Sequence, residues 1–359
     1  MLIVDAHEDL AWNMLTFQRD YTRSAQETRQ REASTSIPQW NGDTLLGWQE
    51  YQTAKVAIIF STLFAAPARR KVGEWDTQCY QDAQEAQILY RRQVDLYRKL
   101  VSEHPNQFQL ILQKNDLQHI LDNWENPDSE HPVGLVMLME GAEGITHPSK
   151  VEEWWELGVR LIGPAWAGNV YCGGTGEPGP LTKLGFELLE NMAACGMVLD
   201  LSHMDETAAL QALDTYPKTI IASHANAKAL LKGSDSNRHL SDLVIQRIIE
   251  RDGIIGVVPF NVFLKTGWKS GDNKADITLD HVVAQIDHIC QIAGNAKHAA
   301  LGTDFDGGFG RQSVPREIDT IADLTKISEL LLNKGYSVED VGLIMGRNWL
   351  TMLLHNLPE

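Results

Sequence analysis

Eight short apolar runs recur along this chain of 359 residues, and they constrain its fold more than any other feature. They are residues 2–6, 55–64, 133–139, 159–165, 197–202, 219–223, 253–259 and 299–303. The runs lack a clean alternation of apolar and polar positions, which is typical of strands buried on both faces of a parallel sheet. We therefore expect an α/β protein built on parallel strands.

Helical patterns occupy the intervals between the runs, and several end at a glycine such as Gly196 or Gly335, as helices commonly do. They cover residues 77–103, 150–157, 181–195, 206–215, 240–251, 279–293 and 319–333. Eight strands that alternate with helices predict a (β/α)8 TIM barrel, formed as a single domain by residues 1–359. A doubly wound open sheet is the alternative architecture.

Two segments interrupt this alternation. Residues 17–51 are polar and have no clear period, so we expect a long loop that forms a wall of the active site. Residues 108–113 form a short apolar run, which we interpret as an extra strand outside the barrel.

Charge and composition exclude several classes of protein. The net charge of −17 disfavours nucleic acid and anionic membrane surfaces, because binding to phosphates depends on Lys and Arg. The four cysteines show no CxxC spacing, so we expect neither a disulfide framework nor a thiolate zinc site. No apolar stretch approaches the roughly 18 residues of a membrane span. The opening MLIVDAHED has no signal-like pattern, and we expect a cytoplasmic protein.

Histidine or acidic residues follow five of the predicted strands. They are His7, Asp9, Glu140, His203, His224 and Asp304. In a parallel α/β barrel, the carboxyl ends of the strands carry the catalytic groups. Imidazoles and carboxylates gathered there predict a metal-dependent hydrolase.

His7 and Asp9 are two positions apart, so their side chains share one face of an extended segment. The pair can bind one face of a metal ion, with Glu8 turned away. A packed histidine beside an acid at a helix entry is the competing interpretation of this short pattern.

His203 and His224 end consecutive strands, which lie about 4.8 Å apart in a sheet. Their imidazoles can share one ion, with nitrogens about 2.0–2.1 Å from it. Glu140 has the position to bridge this ion and a second one at the first strand. Asp304 can bind a metal and act as a general base. Asp306 competes for that role, or it caps the glycine turn that follows.

Eight longer stretches occur in a fixed order, namely VDAHEDL, MLMEGAEGI, ELGVRL, VLDLSH, IASHANA, NRHLSD, LGTDFDGG and GRNWL. Through them the chain resembles the renal or membrane dipeptidases, peptidase family M19, a branch of the amidohydrolase-like barrels. The ordered set is specific, and it extends over nearly the whole chain. The resemblance implies two zinc ions, or other divalent metals, whose bridging hydroxide attacks the peptide bond of a dipeptide-like substrate.

The resemblance also implies a role for each candidate residue. It places one ion with His7, Asp9 and Asp304, the other with His203 and His224, and Glu140 between the two. Glu140 fits the spacing of the family better than the loop acid Glu143. Asp304 would take the proton of the attacking water. Arg238 would bind the free α-carboxylate of the substrate, since a guanidinium pairs with a carboxylate through two hydrogen bonds.

One position departs from the family pattern. Trp166 stands where the fourth strand of the family ends in a histidine that helps to bind substrate and to stabilise the tetrahedral intermediate. Indole donates one hydrogen bond and does not titrate. Loss of such a donor typically costs about 2.7–4 kcal/mol, so ordinary dipeptidase turnover is in question. His239 could supply a replacement imidazole, and a polar loop histidine is the simpler interpretation.

Three functional hypotheses follow. The first is a binuclear zinc dipeptidase that acts on small substrates with a free C-terminal carboxylate. Since relatives of this kind are often homodimers, the resemblance also implies a homodimer here. The second is a divergent metal-dependent amidohydrolase that acts on another small amide or an N-acyl amino acid. The third is a non-catalytic, degenerate barrel. The presence of all six expected ligands argues against the third hypothesis.

Overall fold

The computed structural model describes residues 1–359. The strands are β1 Ile3–Glu8, β2 Val56–Phe64, β3 Ala66–Pro67, β4 Cys79–Tyr80, β5 Phe108–Leu110, β6 Val133–Glu140, β7 Val159–Gly163, β8 Cys172–Gly174, β9 Glu177–Leu181, β10 Val198–Asp200, β11 Ile220–Ile221, β12 Ile255–Val257 and β13 Ala299–Leu301. The α-helices are α1 Leu10–Phe17, α2 Ala25–Glu32, α3 Ile37–Trp40, α4 Trp48–Ala54, α5 Ala83–Glu103, α6 Lys114–Glu125, α7 Val151–Glu156, α8 Lys183–Cys195, α9 Glu206–Thr215, α10 Asp242–Glu250, α11 Leu279–Ala293, α12 Thr325–Lys334, α13 Val338–Gly342 and α14 Asn348–Asn356. None of these helices is long and apolar enough to cross a membrane.

Seven strands form one sheet in which all neighbouring strands are parallel. The order is β1-β2-β6-β7-β10-β11, and β5 pairs with the first residues of β6. The strands β12 and β13 form a separate parallel pair. Single parallel bridges join Ala222 to Ile255 and Glu8 to Phe305, so the pair lies between the two ends of the seven-stranded sheet.

The prediction of a mixed α/β fold with a parallel sheet is confirmed. Each of the eight predicted runs contains a strand, with its ends shifted by a few residues. The extra run at residues 108–113 contains β5, which pairs with β6. The predicted helices also appear, and α8 and α12 end in glycines whose φ angles are 74° at Gly196 and 104° at Gly335.

The segment of residues 17–51 differs from the loop predicted for it. It contains α2 and α3 and the start of α4, and α1 precedes it directly after β1. These helices are short, and contacts at their ends and with distant side chains hold them. Ser24 accepts a hydrogen bond from the backbone of Glu27 at the start of α2, and Arg19 pairs with Glu32 at its end. These contacts hold the short helices in place without a helical repeat of apolar residues, and the sequence of this segment has no such repeat.

Two apolar clusters fill the interior. The larger cluster packs between the sheet and the helices, and Ile3 of β1 and Ile59 of β2 belong to it. The smaller cluster contains alternate residues of the same strands, such as Val4 and Ile58, which face the other side of the sheet. Both faces of the strands are buried, which explains their unbroken apolar sequences.

Candidate active site

Six polar side chains meet at the carboxyl ends of the strands, and they are the six predicted from the sequence. They are His7, Asp9, Glu140, His203, His224 and Asp304. Because the strands are parallel, their carboxyl ends share one edge of the sheet. His7 and His224 are fully buried, and the side chain of Asp304 is the most exposed of the six, at 14%.

Glu140 lies at the centre of this cluster. Its Oε1 atom is 3.1 Å from Nε2 of His203 and 3.3 Å from Nε2 of His224. Its Oε2 atom is 3.6 Å from Nε2 of His7. The two oxygens of one carboxylate thus face two separate groups of potential ligands.

His7 connects Glu140 to the two aspartates. Its Nε2 atom is 3.9 Å from Oδ2 of Asp9 and 3.9 Å from Oδ1 of Asp304. Both ring nitrogens of His7 are buried without a hydrogen-bond partner, and burial of such a group is costly. Ligand atoms about 2.0–2.1 Å from a tetrahedral ion lie about 3.4 Å from one another. The spacing and the donor types therefore fit divalent cations.

His203 and His224 are held with their Nε2 atoms 3.0 Å apart. The other ring nitrogen of each is in hydrogen-bond contact with a hydroxyl, at 2.9 Å from Oγ1 of Thr175 and at 2.8 Å from Oγ of Ser223. Such outer contacts orient metal-binding imidazoles. Thr175 lies in the segment between β8 and β9, which follows Trp166.

Burial and neighbouring charges act differently on the three imidazoles. Burial favours the neutral ring, and it lowers the pKa of His203 to about 4 and that of His224 well below its usual value. Burial acts in the same direction on His7, but the nearby carboxylates, Glu140 above all, outweigh it and raise its pKa to about 10. Burial also opposes ionisation of Glu140, yet the imidazoles hold its pKa well below the usual range. The cluster is therefore arranged to attract positive charge.

The backbone is unusual at two of the six residues. His203 and Asp304 have φ angles of 69° and 58°, in the left-handed region that glycine favours. A residue held there costs of the order of 1–3 kcal/mol. Such strain is typical of functional sites, because the surrounding fold must impose it.

A second layer of carboxylates supports the cluster, and the sequence analysis missed it. Asp200 accepts hydrogen bonds from the backbone of Ser202 at 2.9 Å and of Ser223 at 2.8 Å, and from the Ser223 hydroxyl at 2.5 Å. Asp5 accepts one from the backbone of Thr303 at 2.7 Å. Both acids precede a cluster histidine by two or three residues in the sequence, and that spacing was the available signal.

Arg238 lies beside the cluster. It is 3% exposed, and its Nη2 atom donates a hydrogen bond of 2.6 Å to the carbonyl of His224. Its Nε and Nη1 atoms have no partner. Arg238 therefore has two donors free for an anionic group of a ligand.

Trp166 also borders the cluster. Its ring lies 6.1 Å from that of His203 and 5.2 Å from that of Phe64. Its indole is thus a wall beside the histidine pair.

Three other residues considered in the sequence analysis lie outside the cluster. Asp306 is fully buried and pairs with Arg19. Glu143 does not line the cavity in front of the cluster, and His239 lines a different cavity, beside Asp205. His239 packs edge-on against Phe263, with the ring centres 5.1 Å apart, and its role as a replacement imidazole stays a prediction.

A cavity of about 410 Å³ opens in front of the cluster. Asp9, Glu140, His203 and Asp304 form its polar floor together with Arg238. Its remaining walls are rich in aromatic side chains, and they include Trp40 from the segment of residues 17–51. The prediction that this segment forms a wall of the site is confirmed.

A family model for the membrane dipeptidases, peptidase family M19, matches residues 1–355. The chain belongs to this family. The resemblance seen in the sequence is thus confirmed, and the protein is a metallodipeptidase of family M19. The divalent metal that the family implies fits the donor set of the cluster.

Individual relatives match the chain at modest sequence identity. An uncharacterized protein in the pqqA 5' region of Klebsiella pneumoniae is 29% identical over 276 residues, which cover 74% of this chain and 95% of that protein. Dipeptidase tcpJ of Claviceps purpurea is 27% identical over 276 residues, which cover 73% of this chain and 58% of that protein. This chain thus corresponds to only about half of the length of the fungal protein.

The fold agrees with solved structures of the family. A metallo peptidase from Rhodobacter sphaeroides, liganded with a phosphinate mimic of the dipeptide L-Ala-D-Ala, superposes with a TM-score of 0.77. The superposition covers 99% of both chains at 20% sequence identity. At this identity the likeness concerns the fold.

Proposed function

We propose that the protein is a binuclear metal-dependent dipeptidase that hydrolyses short substrates with a free C-terminal carboxylate. The observation that carries this proposal is the position of Glu140. One of its oxygens faces His203 and His224, and the other faces His7. A carboxylate placed in this way is suited to bridge two metal ions, as in many hydrolases.

The residues divide between the two ions as follows. His7, Asp9 and Asp304 would hold one ion, His203 and His224 would hold the other, and Glu140 would be shared. Mixed imidazole and carboxylate ligands suit zinc. Other divalent metals bind such sites as well, since availability also decides which metal is bound in a cell.

Bound divalent cations supply Lewis acidity, which activates water as a nucleophile and polarises the carbonyl of the substrate. Asp304 serves as the general base. It is the most exposed carboxylate of the cluster and lines the cavity, so it can reach both water and substrate. Asp304 takes a proton from the attacking water and passes it to the leaving amine when the peptide C–N bond breaks.

Arg238 selects the substrate. Arg238 lines the cavity and has two buried donors without a partner, and a guanidinium can bind a carboxylate through two parallel hydrogen bonds. The dipeptide mimic in the Rhodobacter sphaeroides relative supports a substrate of this size. We therefore propose that the free carboxylate of a dipeptide binds Arg238.

We also propose that the strands close into a (β/α)8 barrel and that residues 1–359 form one domain. The two single bridges between the β12–β13 pair and the ends of the large sheet support closure. The eight strands that correspond to the predicted runs then complete the ring.

A second candidate function is hydrolysis of N-acyl amino acids. Trp166, in place of the family's histidine, and the aromatic walls of the cavity favour it. The chemistry and the metal ligands are the same in both cases. Only the group on the amino side of the scissile bond differs.

A substrate panel tests both candidates. Zinc-loaded protein is given L,L- and L,D-alanylalanine, the amides of both, and N-acetylalanine, with a chelator-treated sample as control. We expect cleavage of the free dipeptides that is lost on chelation. Cleavage of N-acetylalanine alone would favour the second candidate, and no cleavage of any compound would support the degenerate barrel.

A further inference from the structure

The cavity in front of the cluster carries an apolar surface that the proposed chemistry does not use. Trp12, Trp40, Val72 and Trp75 form one side of it, and we call these four residues the tryptophan wall. The other apolar side, formed by Phe260 and Phe263, lies close to Arg238, whose guanidinium is 5.2 Å from the ring of Phe263.

The tryptophan wall is a packed aromatic surface. The rings of Trp40 and Trp75 are stacked 5.7 Å apart at an angle of 9°, and Trp12 meets Trp75 edge-on at 6.3 Å. Trp40 is nevertheless 44% exposed. An aromatic side chain that packs here would cover this exposed surface, and such side chains bury about 150–250 Å² each.

The wall and Arg238 lie on different sides of the metal cluster. Trp12 is in α1, directly after Asp9 and strand β1, whereas Arg238 donates to the carbonyl of His224 after strand β11. In the proposed ring β1-β2-β6-β7-β10-β11-β12-β13, Trp75 of the wall follows β2, which is four strands away from β11 and thus on the opposite side. A dipeptide whose carboxylate binds Arg238 and whose scissile carbonyl lies at the cluster therefore directs its amino-terminal residue towards the wall.

Two charged side chains also line the cavity near the wall. Arg70 lines the same cavity, but it is paired with Glu177 at 3.1 Å. Asp76 also lines the cavity, and its Oδ1 atom has no hydrogen-bond partner.

From these observations, and resting on the proposed dipeptidase function, we propose that the tryptophan wall binds the amino-terminal side chain of the substrate and selects a large aromatic one. The preferred substrates are then dipeptides with Phe, Tyr or Trp at the amino end. Trp40 and Trp75 are specificity-determining residues, and they do not take part in the bond-breaking step.

The test compares three dipeptides that differ only in the amino-terminal residue. The values of kcat/KM are measured for phenylalanyl-, alanyl- and lysyl-alanine, each with L- and D-alanine at the carboxyl end. We expect phenylalanyl-alanine to exceed alanyl-alanine by about tenfold or more, since one methylene in an apolar pocket already gives about 10–200-fold discrimination. Equal values for the two would overturn the proposal. A preference for lysyl-alanine would overturn it as well and would assign the selection to Asp76.

Variants then assign the preference to the wall. Trp40→Ala should lower the ratio of kcat/KM for phenylalanyl- over alanyl-alanine by about tenfold, and Trp40→Phe should retain part of it. Trp155→Ala is the matched control, because Trp155 is a partly exposed tryptophan outside the cavity that packs on Arg160. An unchanged ratio in Trp40→Ala would contradict the role of the wall. If no dipeptide is cleaved at all, the proposed function itself fails, and that result differs from cleavage without a preference.

Discussion

Arg19 and Asp306 form a fully buried ion pair, with Nη1 of Arg19 lying 3.0 Å from Oδ2 of Asp306. The same carboxylate accepts hydrogen bonds from the Tyr21 hydroxyl at 2.8 Å and from the backbone of Leu45 at 2.8 Å. Asp306 follows Asp304 by two residues, so this network fastens the segment of residues 17–51 to the edge of the metal cluster. It therefore positions the part of the chain that carries Trp40.

Loss of this carboxylate should destabilise the fold. Removing one partner of a buried ion pair costs about 3–5 kcal/mol, because the other charge remains buried without a partner. We expect Asp306→Ala to lower the free energy of unfolding by this amount, measured by urea denaturation with circular dichroism. Lys99→Ala is the control: it breaks an exposed pair with Glu103 and should change the free energy of unfolding by less than about 1 kcal/mol. If Asp306→Ala and Lys99→Ala lower the free energy of unfolding equally, the buried pair does not stabilise the fold more than the exposed pair does.

His203 should be needed for metal binding and for hydrolysis together. His203→Ala removes one of two imidazoles that face the same oxygen of Glu140. We expect bound metal to fall from about two ions per chain to about one or fewer, with loss of dipeptide cleavage, measured by elemental analysis and activity on one sample. His119→Ala changes an exposed histidine and should alter neither. Full activity in His203→Ala would exclude the two-metal account.

Trp166 should limit turnover. Trp166→His places an imidazole beside His203, where the family pattern has one. An added donor of this kind is worth about 10²–10³ in rate, so we expect kcat for dipeptides to rise. Trp166→Phe, which removes the indole N–H without adding an imidazole, is the comparison. If Trp166→His folds normally but cleaves no faster than the parent protein, the departure at this position does not limit the reaction.

Arg238 should strengthen substrate binding through paired hydrogen bonds from its guanidinium group. Arg238→Lys keeps the positive charge but not the paired geometry. Hydrogen bonds to charged groups contribute about 1.5–3 kcal/mol each, so kcat/KM for free dipeptides should fall by about 10- to 100-fold, mainly through KM. Amidated dipeptides should be poor substrates of both proteins. Equal cleavage of free and amidated dipeptides by the parent protein would remove this role from Arg238.

The cluster of six polar residues could be predicted because its members directly follow apolar runs. A strand buried on both faces has an easily seen end, and a His, Asp or Glu placed there stands out. Six residues far apart in sequence, such as His7 and Asp304, were thus assigned to one edge of the sheet. The structure brings all six together.

The surroundings of the cluster were less predictable, and the reasons are physical. The helices α2 and α3 are held by contacts such as that of Arg19 with Asp306, which are 287 residues apart, and not by a local apolar period. Trp40 ends α3 and Trp75 lies between β3 and β4, and the two rings meet only through the tertiary fold. The left-handed backbone at His203 is imposed by the tertiary fold, so the sequence carries no sign of it.

We propose that a pair of metal ions held by the six-residue cluster supports dipeptide hydrolysis. The most direct test is to determine the metal content and kcat/KM for L,L- and L,D-dipeptides on the same sample, before and after chelation and after reloading with zinc. We expect about two ions per chain and loss of cleavage on chelation. Reloading with zinc should restore both the bound metal and the cleavage. Cleavage that persists in protein shown to hold no metal ion would contradict this proposal.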